Sequence, residues 1–379
     1  MVAMNKVEVT QKNPLPIEAS EPLRVLVAAS GSGGHLIPAL HIVRALQSQC
    51  PGCVVEFIGA GRPLEEKLIL ENGFTRHIVA SAGVKRRNVI GLFQFLLRLP
   101  LAVLQLLLLY RKFKPQVVVG VGGYVSVLPV IVARFKGIPT WTHEAELHPG
   151  LANKVLGYFA DRMSVSFSET KIKGRVKIEH TGHPVRLELK AVDRTTIRKE
   201  APHRLLIIGG SQGARGLDHA VSEITETLKA RNIEVVHQCR AEHMDLVVNG
   251  YRAAKVSASV VPFIDDMVGA YEWSDVIISR AGASSVAEIA CVNRPTIFVP
   301  YPFQQGTHQS DNTKPLVALG KALVVEESGP EFGRRLREAL EKILAPESFR
   351  SMKRATCELR GLDAAQTIAR GIVAMTARP

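Results

Sequence analysis

The residues with the most chemical reach stand in four short turns rich in glycine and serine. Ser30-Gly31-Ser32-Gly33-Gly34-His35 follows an apolar, β-branched run and opens a helical one. Gly120-Val121-Gly122-Gly123-Tyr124 repeats that arrangement further along. So do Gly209-Gly210-Ser211-Gln212-Gly213-Ala214 and Ser279-Arg280-Ala281-Gly282-Ala283-Ser284-Ser285, the last followed by Glu288 about one helical turn on. Glycine lets a backbone approach a phosphate closely, and a helix beginning there offers unpaired N–H groups and the positive end of its dipole. Four such turns exceed what packing requires. They suit two anion sites, one for a nucleoside-diphosphate donor and one for a phosphorylated acceptor.

His35 is the most reactive residue type in these turns. At a helix N-terminus beside two glycines it can take a proton from a hydroxyl or bind a pyrophosphate together with Ser32. The dipole there would lower its pKa and keep it neutral. The first turn does not follow G-x-G-x-x-G, because its sixth position is His35. Gly59-Ala60-Gly61 also stands where a dinucleotide fold carries its ribose-binding acid. A dehydrogenase is therefore disfavoured. Asp265-Asp266 is adjacent rather than spaced, so it forms no Asp-x-Asp pair for a divalent cation. Cys50-Pro51-Gly52-Cys53 has redox or zinc spacing but no second ligand pair, and it lies between a helix end and a strand instead of opening a helix. It reads as a turn that carries two thiols, and five cysteines are too few for a disulfide framework.

Apolar runs alternating with helical segments must position these turns. In the first half the strands read Leu23–Ala29, Val54–Ala60, Gln116–Val121, Pro139–His143 and Met163–Phe167, with Ile178–Val185 as a last strand into a linker. Helices read Pro38–Gln49, Pro63–Asn72 and Val125–Phe135. The pattern restarts with strands Arg204–Ile208, Glu234–Gln238, Ser259–Phe263, Val276–Ser279, Thr296–Val299 and Leu323–Val325, and helices Leu217–Ala230, Ser284–Cys291 and Gly333–Leu344. Such alternation implies α/β architecture: two Rossmann-like domains, each a parallel sheet covered on both faces, with ligands outside the carboxyl ends of the strands. The expected divisions are a disordered leader at 1–21, domains at 22–186 and 187–355, and a C-terminal helix at 356–379 packing back on the first domain.

The length of 379 residues suits two domains. A hydrophobic content of 46% against 22% charged residues excludes a disordered chain. The formal charge of +13 favours an anionic partner, but the basic residues are dispersed and aromatics reach only 6%, which argues against nucleic acid. The first residues contain no apolar core for a signal peptide. One segment, Val89–Tyr110, is Leu-rich and flanked by Lys85, Arg86 and Arg87 before and Arg111, Lys112 and Lys114 after. Gln94, Arg98, Pro100 and Gln105 interrupt it, so it does not read as a membrane span. It is either a buried core helix or an apolar patch ringed by cations, at roughly 85–114, that sits on an anionic membrane surface.

Taken in order, SGSGGHLIPA (30–39), GVGGYVS (120–126), HEAELHPGLANK (143–154), GHPVR (182–186), GGSQGAR (209–215), FIDDM (263–267), SRAGASSVAE (279–288) and HQSDN (308–312) resemble the family-28 glycosyltransferases of GT-B fold. Within that family the chain is most similar to the peptidoglycan N-acetylglucosaminyltransferases, over nearly its whole length. The resemblance implies inverting, metal-independent transfer of N-acetylglucosamine from UDP-GlcNAc, without a cofactor. The acceptor would be the C4 hydroxyl of the muramyl sugar of lipid I, a polyprenyl-pyrophosphate-linked muramyl-pentapeptide, and the product lipid II for peptidoglycan synthesis. The expected place of work is the cytoplasmic face of the inner membrane, as a peripheral protein. On the donor side it implies Ile264 for uracil, Glu288 for the ribose, and Gly210, Ser211, Gln212 and Arg186 for the diphosphate. Gly282, Ala283 and Ser284 adjoin them, and His308 and Gln309 take the transferred sugar. Ser32, Gly33, Gly34 and Glu146 also border the UDP-GlcNAc. Gly31, Ser32, His35, Gly122, Gly123 and Tyr124 would hold the acceptor pyrophosphate.

Three segments depart from the family pattern. His143-Glu144-Ala145-Glu146 stands for His-Glu-Gln-Asn, Ser32 for threonine, and Cys239-Arg240 for Ser-Gly. Glu146 can serve as base, accept a hydroxyl hydrogen bond, or mark a changed substrate, so either His35 or Glu146 is the catalytic base. The competing readings are a related GT-B enzyme acting on another lipid, a UDP-sugar epimerase, or a non-catalytic nucleotide-binding membrane scaffold.

Overall fold

A computed structural model describes residues 21–30, 33–79, 89–192, 201–210, 213–302, 309–355 and 360–376. The first domain runs β1 (Arg24–Ala28), α1 (Gly33–Gln49), β2 (Val54–Gly59), α2 (Pro63–Glu65), β3 (Thr75–Ile78), α3 (Val89–Phe113), β4 (Val117–Gly120), α4 (Val127–Phe135), β5 (Thr140–Glu144), α5 (Leu151–Leu156), β6 (Arg162–Val165) and β7 (Lys177–His180). The second begins β8 (Arg204–Ile208), α6 (Arg215–His219), α7 (Val221–Ala230), β9 (Glu234–Gln238), α8 (Met244–Ala254), β10 (Ala258–Val261), α9 (Met267–Trp273) and β11 (Val276–Ser279). It continues α10 (Ala283–Val292), β12 (Thr296–Phe298), α11 (Gln309–Asn312), α12 (Lys314–Ala318), β13 (Ala322–Val324), α13 (Phe332–Leu344) and α14 (Pro346–Arg354), and the chain closes with α15 (Ala364–Thr376).

Both sheets are parallel, in the orders β3-β2-β1-β4-β5-β6-β7 and β10-β9-β8-β11-β12-β13. In each, the chain winds outward from one central strand and then returns to its other side. The order therefore reverses between β1 and β4, and between β8 and β11. Where neighbouring connections leave to opposite faces, a crevice opens at the carboxyl ends of the two strands. The four glycine turns follow these four strands. Ala28 pairs with Gly120, and Ile208 with Ser279, so each pair of turns lies side by side.

Apolar runs such as VVVG in β4 and the LLII that follows Arg204 in β8 are buried on both faces, as a helix-covered parallel sheet requires. One face of the first sheet packs on α1 and α15, including Leu36, Ile42, Ile368 and Ile372, and the other on α3 and α4 through Leu106, Tyr110 and Val130. The second sheet is clad by α7, α8 and α13 on one face and by α10 on the other. The contact of α15 with the first domain is tight enough that a Cβ on Gly371 would meet the Trp141 ring at 2.4 Å.

Four local features differ from the sequence reading. Helix α1 starts at Gly33 rather than Pro38, which lies inside it. The acceptor orphaned by proline's missing N–H is the carbonyl of Gly34, an exposed residue, so the usual cost is reduced. The helix expected over 217–230 breaks at Ala220. β3 is an additional edge strand, too polar (TRHI) for an apolar pattern to reveal it. The last strand of the first sheet ends at His180, and Thr181–Val185 leaves the sheet. The leader expected at 1–21 falls, except for Glu21, outside the described residues.

Candidate functional site

At the first switch point, His35 lies in the opening turn of α1 and its ring covers the second glycine turn. A Cβ on Gly122 would stand 2.6 Å from Nδ1 of His35, and one on Gly123 3.6 Å from Cδ2. Gly122 also has φ +70°, a conformation L side chains rarely adopt. Replacing Gly122 by alanine should therefore displace the imidazole and strain the turn together. We expect at least a 100-fold fall in kcat, for a stability loss of about 1–2 kcal/mol. Parental kcat in that variant, measured beside its thermal midpoint, would dissociate His35 from turnover. The His35 pKa lies below the ordinary histidine value, as the sequence suggests, but burial is the cause, in place of the dipole. Gly33 is buried and Gly34 exposed beside it, and Tyr124 is 57% exposed at the start of a single 3₁₀ turn. Gly31 and Ser32 lie outside the described residues.

At the second switch point, Gly282 caps α10, with Ala283 and Ser284 in its first turn. Glu288, one turn on, is 8% exposed. Its Oε1 accepts from Arg186 Nε at 2.8 Å and its Oε2 from the Tyr271 hydroxyl at 3.0 Å. Arg186, from the segment between the domains, is thus joined to Glu288 of the donor half. Burial opposes the arginine's charge, but the Glu288 charge and hydrogen bond outweigh it and raise its pKa. Gly210 accepts from Gln238 Nε2 at 3.3 Å through its carbonyl, while Ser211 and Gln212 lie outside the described residues. Ile264 is half-buried against the core beside α10, and Asp266 caps α9 by accepting from Gly269 N. Of the pair expected to take the sugar, His308 lies outside the described residues, and Gln309 accepts from Tyr301 N at 3.0 Å.

The halves meet where the sequence departs from its family. Glu146 Oε2 accepts from Asn312 Nδ2 at 2.5 Å, and Leu147 N donates to Asn312 Oδ1 at 3.2 Å. His148 pairs with Asp311 at 2.9 Å beside them. The loop after β5 is therefore stitched to α11. Burial raises the Glu146 pKa, and the Asn312 bond only partly offsets it. Glu144, also raised by burial, accepts from the backbone of Glu146 and Gly150 and from Asn153, which fixes the loop from below. Cys239 is buried, and Arg240 packs over Gly213 and pairs with Glu242.

Sequence reasoning did not single out Asn312, Tyr271, His143 or His183. Asn312, His143 and His183 stand in the quoted motifs HQSDN, HEAELHPGLANK and GHPVR; the signal was present, but nothing in the chain says that these motifs touch. His143 and His183 are buried, 2% and 3% exposed, and their rings approach to 3.3 Å. Burial pushes His183 down to about 3 and His143 well below the usual range, with a smaller push from neighbouring histidines in each case. His41 of α1, whose buried Nε2 has no partner among the described residues, is likewise pushed down to about 3 by burial and then by Arg186.

This neutral cluster has a consequence for pH stability. Above pH 6.5 these histidines are neutral folded or unfolded, and their burial costs nothing in protonation. Below 6.5 the unfolded chain binds protons that the folded chain refuses, down to about pH 3 at His41 and His183, so stability falls across that window by about 1.4 kcal/mol per pH unit for each histidine. Glu144 and Glu146, whose pKa values are raised, take up protons first in the folded state and partly oppose the loss. We expect the thermal midpoint to drop by roughly 10 °C or more between pH 7 and 5. His41→Met should flatten that slope by one proton. A midpoint independent of pH over this range would show that the cluster is not neutral and buried.

Paired switch points, each carrying two glycine turns, with a buried glutamate on one side and a histidine on the other, define a GT-B architecture. Residues 25–165 match the glycosyltransferase family 28 N-terminal domain, and residues 204–368 match the glycosyltransferase family 28 C-terminal domain. The UDP-N-acetylglucosamine–N-acetylmuramyl-(pentapeptide) pyrophosphoryl-undecaprenol N-acetylglucosamine transferase of Syntrophus aciditrophicus is 34% identical over 357 residues, 93% of this chain and 99% of that protein. The crystal structure of Acinetobacter baumannii MurG superposes with a TM-score of 0.72 at 28% identity, covering 93% of this chain and all of that one. The Neisseria meningitidis UDP-GlcNAc 2-epimerase, at 15% identity and a TM-score of 0.64 over 93% of this chain and 100% of that one, shares the fold alone. The chain belongs to glycosyltransferase family 28, and it is a transferase.

Proposed function

We propose that this enzyme transfers N-acetylglucosamine from UDP-GlcNAc to the C4 hydroxyl of the muramyl sugar of lipid I, giving lipid II with inversion. The observation that supports this reading is the meeting of the two domains at the Glu146–Asn312 and Arg186–Glu288 bonds, beside the glycine turns of both sheets. The α10 end, with Glu288, takes the UDP moiety, and its N-terminal dipole stabilises the charge that develops as UDP leaves. The His35 turn takes the acceptor. His35, kept neutral, accepts the hydroxyl proton as that oxygen attacks the anomeric carbon. Glu146, already bonded to Asn312, holds α11 and its Gln309 against the donor sugar. Incubation with UDP-GlcNAc and a lipid I analogue should give a disaccharide product and UDP in equal amounts. UDP release without disaccharide, or epimerised UDP-sugar, would sink the assignment.

The acceptor's polyprenyl chain calls for a membrane surface, and α3 supplies one. Its inner stripe of Ala102, Leu106, Tyr110 and Phe113 is buried, while Leu101, Leu104 and Leu108 are 50–58% exposed on the outside. Arg98, Arg111, Lys112 and Lys114 are exposed around them. Over residues 98–113 the helix is thus core on one side and apolar with cations on the other. No helix among the described residues is long and apolar enough to cross a membrane. Apolar area combined with basic charge is what peripheral docking on anionic lipid needs. The double substitution Leu104→Glu/Leu108→Glu should lower partition onto vesicles containing phosphatidylglycerol by about tenfold or more. Unchanged sedimentation with those vesicles would move the docking surface elsewhere.

A further inference from the structure

The buried histidines do more than fill the junction. Nδ1 of His143 lies 3.0 Å from Ser164 Oγ, and its Nε2 is 3.3 Å from Nδ1 of His183. The far nitrogen of His183, Nε2, lies 2.9 Å from the hydroxyl of Ser284. The line Ser164–His143–His183–Ser284 thus runs from β6 of the first sheet to the first turn of α10 in the second domain. Ser166 braces its centre, with Oγ 3.2 Å from His183 Nδ1 and 3.4 Å from His143 Nε2. Burial keeps both rings neutral, so each carries one hydrogen and each link has one donor and one acceptor.

Ser284 is half-exposed, unlike the histidines behind it. The first helical bond of α10 runs from Val286 N to Gly282 O, which leaves the N–H groups of Ala283, Ser284 and Ser285 without helical acceptors. A serine hydroxyl beside them would ordinarily rotate freely. Here one of its directions is taken by His183, and the remaining capacity is held at the end of the helix where an anion is favoured.

We propose that His183 is a positioning residue for the donor: it holds the Ser284 hydroxyl in the orientation that meets the diphosphate of the nucleotide sugar. This rests on the reading of the α10 end as the UDP side. A hydroxyl fixed before binding loses no rotamer freedom when the donor arrives, which turns its hydrogen bond into affinity. Because the other face of His183 is bonded to His143, the same ring ties that orientation to the first domain.

Two substitutions separate the arms of the ring. His183→Asn keeps an amide near the Nδ1 position and the link to His143, whereas His183→Gln reaches the Nε2 position and keeps the link to Ser284. His183→Asn and Ser284→Ala should each raise the KM for UDP-GlcNAc and weaken UDP binding by about tenfold, the size of one hydrogen bond to an anion. In both variants kcat should change less than threefold and uridine binding should stay parental. His183→Gln should restore UDP affinity, and the His183→Asn/Ser284→Ala pair should be no worse than either single change. Ser284→Ala is half-exposed and does not threaten folding, so parental UDP affinity in that variant alone would overturn the proposal. So would additive losses in the double variant, or a His183→Asn protein that loses thermal stability while keeping its KM. A parent protein that binds neither UDP nor uridine would overturn the donor-side reading and this inference with it. A parent that binds UDP beside variants that match it would overturn this inference only.

Discussion

Replacing Glu288 by alanine should lower kcat/KM for UDP-GlcNAc at least 100-fold and the thermal midpoint by roughly 5–10 °C. The two losses have different origins. The carboxylate accepts from Arg186 at 2.8 Å and from Tyr271 at 3.0 Å, so its removal strands a guanidinium and a buried phenol. Breaking a fully buried pair costs about 3–5 kcal/mol, and the 23% of the Arg186 side chain that stays exposed brings this to about 2–3. For a domain of this size that is a shift of several degrees. On the proposed reading the catalytic loss comes from the ribose contact and from Arg186, which loses the carboxylate that holds it. Glu288→Gln keeps the shape and an acceptor for Tyr271, and should recover part of the midpoint but little of the donor affinity. Parental UDP affinity in a destabilised Glu288→Ala protein would reduce Glu288 to a structural residue.

His35→Ala should lower kcat by about 10²–10⁴ while the KM for UDP-GlcNAc moves little, the range for loss of a positioned general base. The pH profile of the parent does not by itself identify that base. Burial lowers His35 and raises Glu146, so the two pKa values shift toward each other from opposite sides. His35 is neutral at pH 7, and a base of either kind would give activity that fails as the pH falls. Substitution separates them. Glu146→Gln retains an amide oxygen for Asn312 and should cost less than tenfold, because in our reading Glu146 works by holding α11. If Glu146→Gln carries the large loss and removes the acid limb, while His35→Ala does not, the base is Glu146 and its replacement of asparagine is a change of mechanism.

Much of the chain could be read before its fold was known. Runs such as VVVG in β4 and the LLII of β8 are apolar on every residue, and only a parallel sheet covered on both faces buries them, so the two-domain class followed from pattern alone. Edges were harder. β3 escaped notice because an edge strand half-open to solvent need not be apolar, and α1 was begun late because proline is usually a helix start. For α3, hydrophobicity alone cannot separate a buried stripe from an exposed one when both are leucine. Packing on β1 and α4 decides which is which.

By itself the sequence marked the candidates for chemistry: the glycine turns, His35 beside them, and Glu288 one turn into a helix. These depend on short-range geometry, which a few neighbouring residues specify. Only the tertiary structure decided how they pair. Strand order sets the turns after β1 and β4 side by side and those after β8 and β11 likewise. The docking of the domains then joins Glu146 to Asn312, Arg186 to Glu288, and His143 through His183 to Ser284. Those partners lie far apart along the chain, and burial at the junction, deepest at His143, His183 and Asn312, favours their bonds over bonds to water.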